Sequence, residues 1–295
     1  MIELLSDYTV RLVVIGSALI GATSGGLGCY AYLRRQSLVG DVISHSSLLG
    51  IVAFFWLSHF LTGEGNKSLW VLIPGAITAG LAAMLLTRSV TNRTKLKEDA
   101  GLGVMLAIFF GTGLMLLRWI QRSSPPISGQ AGLDDYLFGM AAAMTSSDLW
   151  MICSLALLSA ITVLFCWSRL KILTFDEEYA AGLGLPTARW EVLLLALLVI
   201  GIVIGLQIVG VVLMVAMLIA PASAARQWTH SLGAMFCIAA GLGATCAASG
   251  AFLSSVQKGL PTGPVIVMFL TAVVIASVLL SPSRGILFGR QRLVS

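Results

Sequence analysis

Apolar residues run through this chain in long stretches, interrupted by short polar clusters. Stretches of bilayer-crossing length lie near 8–32, 43–62, 69–87, 100–118, 148–167, 191–206, 209–221, 231–256 and 263–281. A hydrocarbon core of about 30 Å takes roughly 20 helical residues. The pattern predicts an all-α polytopic membrane protein of about nine transmembrane helices (8–9). The run from Val192 to Ala220 is 29 residues with Gln207 as its one conventional polar side chain. As a single helix it would be about 43 Å long, too long for the core. A break near Gln207–Gly210 is therefore expected, giving one full span and one short returning helix.

Composition agrees. Hydrophobic residues make up 58% of the 295 and charged residues 11%, against about 25% charged in soluble domains. Mean hydropathy is +0.96. A net charge of +5 is compatible with a nucleic-acid partner, but the basic residues sit in small groups between apolar runs, as juxtamembrane anchors do. Arg34/Arg35, Arg88/Arg93/Lys95/Lys97, Arg169/Lys171/Arg189, Arg226 and Arg284/Arg290/Arg292 fall alternately on one side, 13 of the 18 Lys and Arg. The positive-inside rule then places the N-terminus outside and the C-terminus in the cytoplasm. The loop from Arg118 to about Ser147 lies outside. The first apolar run reads as a span and not as a cleaved leader.

The chain reads as one transmembrane domain, 1–295. Gly21/Gly25 and Gly201/Gly205 stand at the GxxxG spacing that lets helices approach closely in lipid. Cys29, Cys153, Cys166, Cys237 and Cys246 show no metal or redox spacing and read as small buried hydrophobes. Gly63-Glu64-Gly65-Asn66-Lys67-Ser68 resembles a phosphate loop but has Asn where Gly must precede Lys. It is expected to be a turn, and ATP to be bound by another chain.

Two constellations could carry chemistry. Asp41 and His45 are four apart, on one helical face. Together they offer a carboxylate oxygen and an imidazole nitrogen suited to a first-row divalent cation, and ionisable groups at membrane depth usually line a pathway. The bland reading is a capping Asp beside a core His, and spacing alone leaves the two even. Two ligands do not cage a metal, but a two-fold dimer would bring four to one axis. His59, five turns beyond Asp41, is a weaker candidate relay ligand that reads first as an interfacial His. The second constellation is 174–186. Here Phe175 and Asp176 precede a short helix through Glu177, Glu178 and Ala181, with Gly182 and Gly184 ending it and Pro186 blocking continuation. Such a helix is either an ordinary capped loop or a segment that docks in a groove on a cytosolic partner.

These segments resemble the permeases of manganese/zinc ABC importers. The resemblance is carried by Arg34-Arg35-x-Ser37-x-x-Gly40-Asp41-x-x-Ser44-His45, Ala131-Gly132-Leu133-Asp134 with Leu137-Phe138-Gly139, and Phe175-Asp176-x-Glu178-x-Ala180-x-x-Leu183-Gly184. Val209-Gly210-Val211 and Leu260-Pro261-Thr262-Gly263-Pro264 add to it. It implies a type II ABC importer-like bundle in the bacterial cytoplasmic membrane, with Asp41 and His45 as pore ligands and 174–186 as the coupling helix. The partners implied are a second permease chain (identical or a paralogue), cytosolic ATP-binding subunits and an extracytoplasmic metal-binding lipoprotein. No permanent cofactor is implied, and the transported ion would be Mn2+, with Zn2+ and Fe2+ as alternatives. Lys97-Glu98-Asp99 and the 131–139 segment lean toward manganese or iron, whereas Ser46-Ser47 after the His is closer to some zinc permeases. The competing classes are an ABC permease for a siderophore, haem or cobalamin, and an ion-driven secondary transporter. The ionisable pair argues against the first, and the lack of a second broken helix against the other.

Overall fold

The computed structural model describes residues 7–63, 65–123, 127, 129, 130, 132, 139, 144–211, 213–257 and 260–281. Most of the 131–139 motif, Lys258 and the basic tail with Arg284, Arg290 and Arg292 lie outside them. The described residues form helices throughout: α1 (Tyr8–Leu33), α2 (Ser37–Thr62), α3 (Leu69–Arg93), α4 (Glu98–Gln121), α5 (Ser146–Phe165), α6 (Trp167–Phe175), α7 (Glu177–Gly182), α8 (Thr187–Val203), α9 (Leu206–Val209), α10 (Met214–Trp228), α11 (Leu232–Val256) and α12 (Thr262–Leu280). Seven of these are long and apolar enough to cross a membrane: α1 to α5, α11 and α12. The other two expected spans, α8 and α10, are shorter, at 17 and 15 residues.

The break in the long apolar run is present but wider than expected. α8 ends at Val203, α9 makes a single turn, and Gly210 takes φ +84°, ψ 163°. That conformation is open to glycine and strained for any side chain. Helix resumes only at Met214 and continues through Pro221 to Trp228, past the predicted end at 221. Proline is tolerated inside membrane helices because neighbours repack around it; Pro221 is buried and faces Gly25 of α1. α10 runs alongside α12 in the same direction. Val209 and Leu213 lie against Gly263 at the start of α12, while Ser281, just past its end, donates to the carbonyl of Gln227.

Close backbone approach holds the bundle together. A Cβ on Gly21 would collide with the carbonyl of Gly243 on α11, and one on Gly25 would lie 2.6 Å from Ala239 O. The predicted Gly21/Gly25 pair thus interlocks with Ala239/Gly243 at the same four-residue spacing. Gly50 of α2 and Gly75 of α3 face each other in the same way. Overpacking such a contact costs about 1–3 kcal/mol. Gly201/Gly205 behaves differently. Gly201 packs on Leu27 of α1, but α8 has already ended when Gly205 is reached, and Gly205 instead receives the Met214 side chain.

Candidate functional site

α2 begins six residues before the apolar run at 43, so Asp41 and His45 lie within its first three turns. Both are half-buried, and so are Leu49 and Ala53 on the same line. Between Leu38 and Trp56 every other residue of α2 is buried except Phe54. Asp41, His45, Leu49 and Ala53, each four apart, therefore form a half-buried stripe, with α4 along its edge. The buried faces of α2 explain why. Gly50 and Ser47 pack on α3, Gly40 on Leu218 and Val215 of α10, and Leu49 against Gly113 of α4. Beside the stripe, Leu49, Thr112, Met115, Leu116 and Trp119 line an apolar groove of about 390 Å3 between α2 and α4.

His45 is oriented by Phe110 of α4, ring centroids 4.5 Å apart at 66°, an edge-to-face contact. Its Nδ1 is buried and has no hydrogen-bond partner among the described residues. A buried polar nitrogen without a partner is uncommon in folded proteins. Asp41 and His45 are electrostatic neighbours. The serines around them are committed elsewhere. Ser44 donates to Asp41 O, Ser46 and Ser47 to Ile43 O at 3.1 and 2.7 Å, the back-bonding that satisfies hydroxyls in helices. Among the described residues no three His, Cys, Asp or Glu side chains come together. One chain thus offers a pair of ligands, not a cage.

His59 is not part of this group. Fourteen residues beyond His45, it lies about 21 Å further along α2, near the helix end. Its Nδ1 is likewise buried without a partner among the described residues.

The second constellation forms a projecting hairpin. α6 continues from α5 past a one-residue interruption at Cys166 and ends at Phe175. Asp176 caps α7, accepting from Tyr179 N at 2.8 Å, the usual role of an N-cap carboxylate. Gly184, at φ +75°, is the left-handed residue closing the turn, with Leu185 N donating to Ala180 O, the Schellman pattern. Gly182 is helical, and a side chain there would meet nothing within 4 Å. Arg169 of α6 lies over the Trp190 ring of α8 at 4.8 Å and braces the hairpin's base. Glu178, Ala181 and Gly182 are exposed, but Glu177 turns back to Arg34 at 3.0 Å. Sequence reading passed over Tyr179 and Leu183. Phe175 at the end of α6, Tyr179 in α7 and Leu183 just after it are 54%, 58% and 54% exposed, three large apolar side chains on a hairpin otherwise rich in charge.

Comparison with known proteins agrees with this geometry. Residues 6–281 match the family model described as the ABC 3 transport family. The zinc transport system membrane protein TroC of Treponema pallidum (strain Nichols) is 40% identical over 297 residues, 100% of this chain and 97% of that protein. The manganese transport system membrane protein MntC of Bacillus subtilis (strain 168) is 38% identical over 285 residues, 96% of this chain and 63% of that protein. The solved structure of PsaBC from Streptococcus pneumoniae in complex with Fab superposes with a TM-score of 0.82 at 28% identity, covering 96% of each chain. A bundle with a half-buried Asp/His stripe and a projecting hairpin, matched over almost its whole length, leads to one conclusion: the chain belongs to the ABC 3 transport family, the permeases of divalent-metal ABC importers.

Proposed function

We propose that this chain is half of a central pathway for a divalent cation, with Mn2+ as the favoured cargo and Zn2+ and Fe2+ as competitors. The observation that carries the reading is the placement of Asp41 and His45 on one half-buried stripe of α2, edged by α4 and beside an apolar groove. A second permease chain, identical or paralogous, fits that face. It would bring its own pair and complete a mixed oxygen–nitrogen shell that first-row cations accept. ATP is hydrolysed on separate cytosolic chains that grip α7 and the residues around it, 174–186. An extracytoplasmic binding lipoprotein delivers the ion. Closure of the ATPases shifts the two bundles, so that the site faces alternately out and in.

Names of relatives point to both zinc and manganese, so the ion is decided by competition. In vesicles containing the assembled importer, radiolabelled Mn2+ uptake should be inhibited by unlabelled Mn2+ at lower concentrations than by Zn2+ or Fe2+. Stronger inhibition by Zn2+ would replace manganese with zinc and leave the importer reading intact. No uptake of any of the three would overturn the reading itself.

The membrane topology follows the same logic. Nine crossings, α8 and α10 included, put the N-terminus outside and the C-terminus in the cytoplasm of a bacterial inner membrane. Arg34, Arg88, Glu177 and Glu191 meet at one end of the bundle, which supports assigning that end to the basic, cytoplasmic side. With the native cysteines removed, a cysteine at Ser68 should react with an impermeant reagent in intact cells, and one at Thr94 should stay protected. The opposite pattern inverts the topology.

A further inference from the structure

Four charged side chains from four segments meet beside the hairpin, and the pathway described above makes no use of them. Arg34, in the turn after α1, is 10% exposed at its side chain. Its guanidinium lies 3.0 Å from Glu177 Oε2 on α7 and 3.6 Å from Glu191 Oε1 on α8. Glu191 Oε2 is in turn 2.7 Å from Arg88 Nη2 on α3, and Arg88 also donates to Ala188 O at 3.3 Å. The ion pairs set two arginines against two glutamates, and a third carboxylate, Glu98, lines the cavity beside them. Next to them, Gln36 Nε2 donates to Glu98 Oε1 at 2.9 Å and ties the start of α2 to α4.

The position of Arg34 gives this cluster mechanical meaning. Only Arg34, Arg35 and Gln36 separate α1 from α2, and Arg35 is held at φ +58°. A corner that short cannot absorb a displacement; it passes movement of Arg34 to the first turn of α2, where Asp41 stands seven residues on. Exposed ion pairs contribute little to stability, but here both guanidiniums are shared or bound twice and mostly withdrawn from water. A planar guanidinium can hold two carboxylates in fixed directions, which a lysine ammonium does less well. A cavity of about 350 Å3 borders the cluster, lined also by Gln36, Asn92 and Thr87, and leaves room for the pairs to exchange partners.

We propose that Arg34 is a positioning residue that carries displacement of α7 to the metal-binding helix α2, with Glu191 and Arg88 as its anchor on α8 and α3. The inference rests on the reading of α7 as the ATPase contact. The pairs would transmit movement through two discrete arrangements, the physical requirement for coupling between distant sites.

The test uses the complete importer in vesicles and reads Mn2+ transported per ATP hydrolysed. Arg34→Gln should keep the ATPase bound and hydrolysing, because Arg34 lies behind α7, while the transport ratio falls about 10-fold or more, within the range of measured coupling energies. Arg34→Lys, which keeps the charge and loses the fork, should give an intermediate ratio. An unchanged ratio in Arg34→Gln overturns the proposal; should that variant fail to assemble, an unchanged ratio in Arg34→Lys does so. Failure of the underlying reading looks different: the ATPase would then stay bound when the exposed apolar side chains of the hairpin are replaced, whatever happens at Arg34.

Discussion

An Asp41→Ala protein is expected to reach the membrane, assemble with its partners and transport almost no metal, and His45→Ala should behave alike. His45 touches α4 through the edge of Phe110, a minor share of the packing of α2. The close contacts of α2 run through Ser47, Gly50 and Gly40, on faces turned away from the Asp41–His45 stripe. The functional loss should be large because, with an identical partner chain, each replacement removes the same ligand from both halves of the proposed site, two of four. Changes to groups that merely support a metal ligand already cost about 10–100-fold, and loss of ligands themselves should reach at least the upper end of that range. Asp41→Asn separates shape from charge: it keeps the side-chain outline and one oxygen but not the anion, and should transport poorly. Radiolabelled Mn2+ uptake into vesicles, normalised to the amount of assembled complex, is the measurement. Near-normal uptake by Asp41→Ala would remove this pair from the pathway.

The second large effect should come from the hairpin. Replacing Phe175, Tyr179 and Leu183 together with serine should strip the ATPase from the purified permease. Their exposed apolar surface is the feature of the hairpin with most to gain from a partner. Burying a large apolar side chain contributes about 1.5–3 kcal/mol, so losing three should cut affinity by 100-fold or more. Asp176 and Glu177 are poorer targets despite their charge. Asp176 caps α7, so its loss frays the helix at a cost of about 0.5–2 kcal/mol, and Glu177 is engaged with Arg34. Charge reversal at Glu178 and a bulky residue at Ala181, both exposed and clear of those contacts, should weaken docking without disturbing the fold. Co-purification of the ATPase at normal stoichiometry with the triple-serine protein would move the interface elsewhere.

Much of this was legible in the one-dimensional pattern. Apolar length alone marks the seven long helices, because lipid demands about 20 residues whatever their identity. The 29-residue run declares its own break by being too long. The i,i+4 spacing of Asp41 and His45 places them on one face by helix geometry alone, and Gly21/Gly25 announces a close crossing. What the pattern could not supply was which neighbour each face meets. Gly201/Gly205 has the same spacing as Gly21/Gly25, yet it forms no continuous stripe, because α8 ends at Val203 before the second glycine is reached. The break opens earlier and closes later than Gln207–Gly210 because Gly205 must admit Met214 and Gly210 must take a positive φ. Arg34, Arg88, Glu177 and Glu191 lie up to 157 positions apart, and no local signal links them. Helix periodicity alone puts Asp41 and His45 on one face of α2; that this face stays half-buried, with α4 along its edge, follows only from the packing of the bundle. Helix periodicity is local and readable, whereas exposure depends on where α3, α4 and α10 pack, and that is set by the fit of surfaces distant along the chain.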